Sequence, residues 1–510
     1  MEAEGDYSSA IFVVLFVAVA LGLLVKSERA EPDLKHIPAI GWSTYLLSYL
    51  DAFKFSSRGT TQLSRGYNKY RSSVFKISTL KRWLPIITGT HSIEELRKAT
   101  EDEVSFANIA TEPDASLYFI GHCKAVSPQH LNGMTRHITQ NTTFLIPDLR
   151  EEIMLVLRNA TSTAEGSGWQ EMDAMGLVVQ LTSRAINRVF VGLPYARNEE
   201  FSALSTSAAR DVYGFKFPLL CTLLPKALFS IIRIFSDSHT TRRRLHWLVT
   251  TFVRERKHAC EAGHDKNEPN NHDLLSWTLN DECTQKSPEN LLSLSITANQ
   301  TISMTFGHVL YHLAANPKYA APMRKEIEGI VMREGWSKSS LERMRKVDSF
   351  VKESMRMSSI SSISMMRKVM KPFTFSDGTH LPQGALVAVA AEARHLDSLN
   401  NTSNTYSSPL PSSDIAIFDG FRFSNPGPAG NNGMHAQFQL VTTTADALAW
   451  GYGRHACPGR FFAAVVLKMM LAHVVLHYDV RFEDGVRPRD VLVGLNRLPD
   501  PDAKVLVRKR

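Results

Sequence analysis

The stretch Ala449-Trp-Gly-Tyr-Gly-Arg-His-Ala-Cys-Pro-Gly-Arg-Phe-Phe-Ala463 decides how this chain is read. Gly451 and Gly453 loosen the backbone ahead of Cys457. Pro458 and Gly459 follow it, and a helical pattern begins at once. The sulfur is therefore placed at a helix N-terminus, where unsatisfied N–H groups and the helix dipole favour the thiolate. A thiolate on a glycine-rich loop can approach a flat ligand closely. Such a sulfur suits ligation of haem iron, where it pushes electron density toward oxygen. The bland alternative is a buried cysteine in a glycine-rich turn.

The remaining composition narrows the choice. With 510 residues the chain has room for roughly three domains of about 150 residues, or for one large enzyme domain. The apolar fraction of 44% and the charged fraction of 21% exclude a mainly disordered or collagen-like chain. Lys plus Arg exceeds Asp plus Glu by 58 − 50 = 8, a mild surplus that fits anionic lipid or an acidic protein partner and does not call for nucleic acid. Cys123, Cys221, Cys260, Cys283 and Cys457 are odd in number and form no Cys-x-x-Cys, against a disulfide scaffold or a zinc finger.

Ala10 to Val25 is a run of sixteen uncharged residues, about 24 Å long as a helix. Glu2, Glu4 and Asp6 precede it where a signal peptide carries basic residues, so it reads as an uncleaved anchor. Lys26, Arg29 and Lys35 follow it, which puts the body of the protein in the cytosol. Pro32 and Pro38 stiffen a linker over 26–41. Beyond it, spacing predicts helices over Leu149–Leu157, Leu245–Cys260, Leu291–Ala315 and Phe461–His477. Strands are expected at Ser73–Thr79 and Trp83–Thr88, with a hairpin over Phe373–Gly384 turning at Asp377-Gly378. Ala262–Asn280 and Ser398–Ser413 read as loops.

The cysteine segment resembles the haem-binding signature of cytochromes P450, F-G-x-G-x-x-x-C-x-G, with Trp450 in place of the phenylalanine. Glu353-Ser-Met-Arg356 is similar to the family's E-x-x-R. Phe418-Asp-Gly-Phe-Arg-Phe423 resembles the segment that adds a second arginine, here Arg422, to that pair. Glu94/Arg97 and Glu342/Arg345 match E-x-x-R too, but only Glu353 stands in the family's order of segments. Ser295-Ile-Thr-Ala-Asn-Gln-Thr-Ile-Ser303 looks like the family's A/G-G-x-D/E-T-T.

The resemblance covers nearly the whole chain and points to membrane-bound members from filamentous fungi. It implies a mainly α fold with a small β part. The layout is then a lumenal N-terminus (1–9), a transmembrane anchor (10–25), the linker (26–41) and a catalytic domain (42–510). It implies haem b ligated by Cys457 within a loop formed by Trp450, Gly451, Gly453, His455 and Gly459. Arg367 and Arg136 point at haem propionates. Ala298 is the small residue that leaves room for oxygen and Thr301 the hydroxyl that helps relay protons. Gln300 stands at the acidic position, and an amide cannot release a proton. Electrons come from NADPH through NADPH-cytochrome P450 reductase, which would meet Arg454, Arg460 and Lys468. The site lies on the endoplasmic reticulum membrane, facing the cytosol. The pocket is expected from parts of Phe106–Ile120, Tyr213–Leu220, Ile296, Thr297, Ile360, Ile363 and the loop near Leu495, and takes a lipophilic substrate such as a terpenoid or sterol-like compound. Two rival readings stand beside a monooxygenase: a thiolate-haem isomerase or dehydratase that needs no reductase, and a non-catalytic membrane-anchored haem-binding sensor.

Overall fold

The long apolar pattern after residue 290 becomes the longest helix among the described residues, Ser287–Ala315. A computed structural model describes residues 33–42, 45–79, 82–109, 128–161, 168–210, 237–262, 272–280, 287–397, 414–424 and 438–510. The central helix packs against Ala174–Val191, Arg345–Met357 and Arg460–His477. These helices bury one continuous core in which Phe190, Phe306, Tyr311, Phe350 and Leu471 are almost fully covered. Each such side chain contributes about 1.5–3 kcal/mol of transfer free energy. Arg345–Met357 is amphipathic: it buries Val347, Phe350, Val351 and, unusually, Glu353. The helix Ala174–Val191 starts on Asp173, whose carboxylate accepts from Gly176 N at 2.9 Å.

A six-stranded sheet holds the second part of the core, in the order Ala39–Ile40, Val74–Ser78, Trp83–Ile87, Leu386–Ala390, Ile363–Val369, Val104–Ser105. Leu386–Ala390 is apolar at every position and sits inside the sheet, parallel to Trp83–Ile87 and antiparallel to Ile363–Val369. A two-residue turn at Gly494, with φ +61°, joins Val491–Val493 to Asn496–Leu498 in a separate hairpin.

The expected helices and the two N-terminal strands form, and the Phe373–Gly384 hairpin pairs Phe373 with Leu381 around Gly378 at φ +84°. Two expectations need correction. Leu274–Asn280, read as loop, is a helix whose Leu274 and Leu275 are fully buried. Ala39–Ile40, read as the end of the linker, is the edge strand, pairing in parallel with Lys76 and Ile77. The anchor run 10–25 and the loop 398–413 lie outside the described residues. Among those residues, Arg460–His477 is the one helix long and apolar enough to cross a membrane, and most of it is buried in the protein core.

Candidate active site

Cys457 is held by its own loop. Its N–H donates to the Trp450 carbonyl at 2.7 Å, Ala456 N donates to Gly453 O at 3.1 Å, and the helix Arg460–His477 starts immediately after. Gly451 and Gly453 adopt φ of +74° and +79°, which an L side chain rarely takes. A Cβ on Gly453 would stand 2.4 Å from Arg97 Cγ, so the loop lies hard against the helix Thr90–Lys98. On that helix Glu94 accepts from Tyr452 Oη at 2.8 Å and from Arg97 Nε at 2.8 Å, while the Arg97 guanidinium covers the Tyr452 ring. The Glu94/Arg97 pair, which the sequence left as an incidental match, is thus the brace of the cysteine loop. The Trp450 indole N–H, free in principle to face the sulfur, instead donates to Leu440 O at 2.9 Å.

Glu353 is completely buried. Arg356 forks onto it at 2.7 and 2.8 Å, Arg422 Nε donates at 3.1 Å and Asp419 N at 3.0 Å. Two guanidinium groups and one amide thereby satisfy a carboxylate that could not otherwise be buried. The triad reaches the cysteine loop through His395. Arg356 Nη1 donates to the His395 carbonyl at 3.0 Å, and His395 Nε2 accepts from Leu448 N at 2.9 Å. Burial, with Arg356 and Arg394 nearby, holds the imidazole neutral, its pKa lowered to about 3. Leu448 O then takes the Gly451 N–H at 2.9 Å. Nothing in the sequence marked His395 as this link.

The central helix carries a ladder of threonines. Thr297, Thr301 and Thr305 each donate to the carbonyl four residues back, at 2.9, 2.9 and 2.8 Å. Between Leu291 and Ala314 only Ile296, Thr297, Ala298 and Thr301 are partly exposed, one stripe on an otherwise buried stretch of helix. Gln300 points elsewhere: its amide donates to Ala208 O at 3.1 Å, on the helix Glu199–Arg210.

Arg367 is aimed inward by an irregularity of its strand. The register with Leu386–Ala390 shifts between Ser364 and Arg367, and Met365 takes φ +51°. The guanidinium is only 4% exposed, donates to Met366 O at 2.7 Å and lies over the Phe106 ring. Burial lowers its pKa to about 10, with Glu101 opposing. His455 stands beside it and contacts Glu101 Oε2 at 2.8 Å. Glu101 also accepts from Ser105 Oγ and from the Phe106 and Ala107 amides. Arg136, by contrast, is exposed on the helix Pro128–Gln140.

A family model for cytochrome P450 matches residues 53–505. The chain belongs to the cytochrome P450 family. It is 37% identical to cytochrome P450 monooxygenase 151 of Postia placenta, over 97% of this chain and 98% of that protein. It is 30% identical to an ent-kaurene oxidase of Gibberella intermedia, over 93% of this chain and 88% of that protein. Among solved structures it is similar to a retinoic acid-bound cyanobacterial CYP120A1, with a TM-score of 0.66 at 16% identity, covering 93% and 99% of the two chains. The fold is that of a cytochrome P450, and the enzyme class is monooxygenase.

Cytochromes P450 carry a haem-thiolate iron, and the residues present fit such a group. Among the described residues Arg367 is a buried cation with no carboxylate within hydrogen-bonding distance, which suits an anionic propionate. Gly459 leaves the flank of the thiolate open, since a Cβ there would lie 4.0 Å from Sγ. Other expected residues fall differently. Lys468 is buried and paired with Asp348 at 2.9 Å, so it meets no partner protein. Arg460 is turned inward onto the Cys457 and Val441 carbonyls. Arg454 remains exposed. Ile363 is buried, and Leu495 is wholly covered in a cluster with Leu63, Ile109 and Met366, while Val493 and Gly494 of the same loop are partly exposed. Ile360 is partly exposed. Residues 110–120 and 213–220 lie outside the described residues.

Proposed function

We propose that this cytochrome P450 hydroxylates a lipophilic small molecule of terpenoid or sterol-like type, with Cys457 as the axial ligand of haem b. When bound, haem iron supplies the activation of dioxygen and the insertion of one oxygen atom into a C–H bond. The chain's residues do the rest. The loop Trp450–Gly459 holds the thiolate, and Arg367 and His455 orient the cofactor through its propionates. Arg136 joins them only if its helix turns it inward on cofactor binding. Ala298 keeps space beside Thr301. The Thr301 hydroxyl, whose proton is held by Thr297 O, keeps its lone pairs free to accept and pass on a proton. Gln300 stays out of that transfer because its amide is bound to Ala208 O and has no proton to give.

The observation that carries this reading is the half-exposed stripe Ile296–Thr301 on an otherwise buried helix, apolar except for its threonine hydroxyls. The substrate class is supported by the name of one relative, an oxidase of ent-kaurene, a terpenoid hydrocarbon. Electrons come from NADPH through its reductase, docked near exposed Arg454 and Phe461. The apolar run 10–25 anchors the chain in the endoplasmic reticulum membrane with the catalytic domain in the cytosol.

The test is co-expression with a reductase, feeding of a panel of terpenoids and steroids, and product analysis by mass spectrometry. A product gaining one oxygen atom, dependent on NADPH and lost in Cys457→Ala, is expected. Turnover without NADPH and reductase would overturn the monooxygenase reading and favour an isomerase.

A further inference from the structure

The C-terminal hairpin, Val491–Val493 with Asn496–Leu498, rests on the central helix one turn beyond Thr301. Leu498 packs on Met304, and Val493 and Ile360 flank them, both partly exposed. Two backbone bonds tie this hairpin to the segment after the Glu353 helix: Arg497 N to Ile360 O at 3.1 Å and Ser362 N to Leu495 O at 2.7 Å. A two-stranded hairpin is marginal by itself, so something else must fix its place.

That something is a charged network beneath it. Asp490, whose side chain is 3% exposed, precedes the hairpin and accepts from Arg487 at 2.7 Å and from Arg497 at 3.0 Å. Arg497 also grips Glu392, which takes the Ser362 hydroxyl. Arg487 donates to His308 Nδ1 at 2.9 Å, while His308 Nε2 meets Arg497 O at 3.3 Å. His308 lies two turns beyond Thr301, on the same face of the central helix. The side chains of Arg497 and Leu498 alternate, one into the ion network and the other onto Met304.

The structure assigns Asp490 a positioning role: with Arg497, Arg487 and His308 it sets how closely the hairpin lies over the pocket side of the central helix, and so which bulky ligands the pocket accepts. This inference rests on the haem-thiolate reading above. Asp490 touches no reacting group. It acts through the backbone of the hairpin, whose Val493, with neighbouring Ile360, packs on Met304 and Leu498 and stays partly exposed.

The experiment uses the full-length, haem-loaded enzyme with two azole probes, read from their spectral shifts. Imidazole reports the iron alone, and clotrimazole, with its three aryl rings, reaches the pocket walls. Asp490→Asn leaves Arg497 and Arg487 short of an anion and can unfold the site, so Asp490→Asn/Arg497→Gln, which removes a charge of each sign, is made beside it. In the folded variants clotrimazole affinity falls by at least about tenfold while imidazole affinity stays within about twofold. The carbon monoxide spectrum of the reduced protein is unchanged. The carbon monoxide spectrum tests the haem-thiolate reading separately, because it loses its thiolate band if Cys457 is not the ligand, whereas imidazole binding reports only that haem iron is present. Clotrimazole affinity within about twofold of the parent, or an equal loss for both azoles, overturns the assignment. Loss of haem from both variants also overturns it, since the network would then hold the fold and not the pocket.

Discussion

Glu353→Gln isolates the charge of the buried carboxylate while keeping its shape. In the native site Oε1 takes three donors, Arg356 Nη2, Arg422 Nε and Asp419 N, and Oε2 takes Arg356 Nε. An amide can offer only one acceptor oxygen, and its NH2 would face a guanidinium N–H, donor against donor. At least one charge-assisted bond is lost, worth about 1.5–3 kcal/mol. Two guanidinium groups, each under a tenth exposed, then lose their counter-charge. The whole change costs about 3–5 kcal/mol, the range for breaking a buried pair from one side. Against a typical stability of about 5–15 kcal/mol, that is a large fraction. The loss also reaches the cysteine loop through His395 and Leu448. Urea unfolding by tryptophan fluorescence, alongside haem content, measures both. A midpoint and a haem content equal to the parent's would refute the reasoning, because the charge would then be doing nothing that an amide cannot do.

Three further outcomes follow from single features. Arg367→Leu removes a buried cation that no carboxylate hydrogen-bonds among the described residues, so the cofactor-free protein unfolds at the same or higher urea concentration while haem affinity falls by about tenfold or more; equal loss in both measurements would point to a structural role. Gly453→Ala forces a Cβ onto Arg97 at a positive φ and lowers haem content, whereas Gly378→Ala, equally strained but facing open space, leaves it unchanged. His395 and His308 are neutral in the fold, with pKa lowered to about 3 and about 4 by burial. The unfolded chain, with an ordinary imidazole value near 6.5, takes up these protons first. Stability is therefore full above about pH 6.5 and drops as pH falls toward 4, and a urea midpoint that stays flat across that window would contradict the assignment.

How much of this was legible in the sequence depended on whether a role is local. The cysteine loop, the Glu353–Arg356 pair and the central helix are contiguous motifs, and they fold as read. Arg422 followed from the order of segments. Lys468 was misread because its helix looks apolar with one outward cation; the partner that buries it, Asp348, comes from another helix. Glu94, Arg97 and His395 act through residues more than fifty positions away, which no local pattern displays. Leu274–Asn280 hid as a short apolar run among polar residues, and tertiary burial made it a helix. The segment Asp490–Leu498 gave no warning that Asp490 and Arg497 would turn inward, since Arg and Asp are usually exposed.

The brace between the helix Thr90–Lys98 and the cysteine loop also sets an order of events in synthesis. Tyr452 and Glu94 are 358 positions apart, so their contact closes a loop of more than two-thirds of the 510-residue chain. While the ribosome is still adding the middle of the protein, that helix has nothing to hold. Cys457, the proposed ligand, emerges close to the end, after the other described helices of the main core have been made. On the proposed ligation by Cys457, capture of the prosthetic group is therefore a late, post-translational step. A chain truncated anywhere before residue 449 is a helical body without the means to retain it, and it exposes apolar surface to chaperones and proteases while it waits.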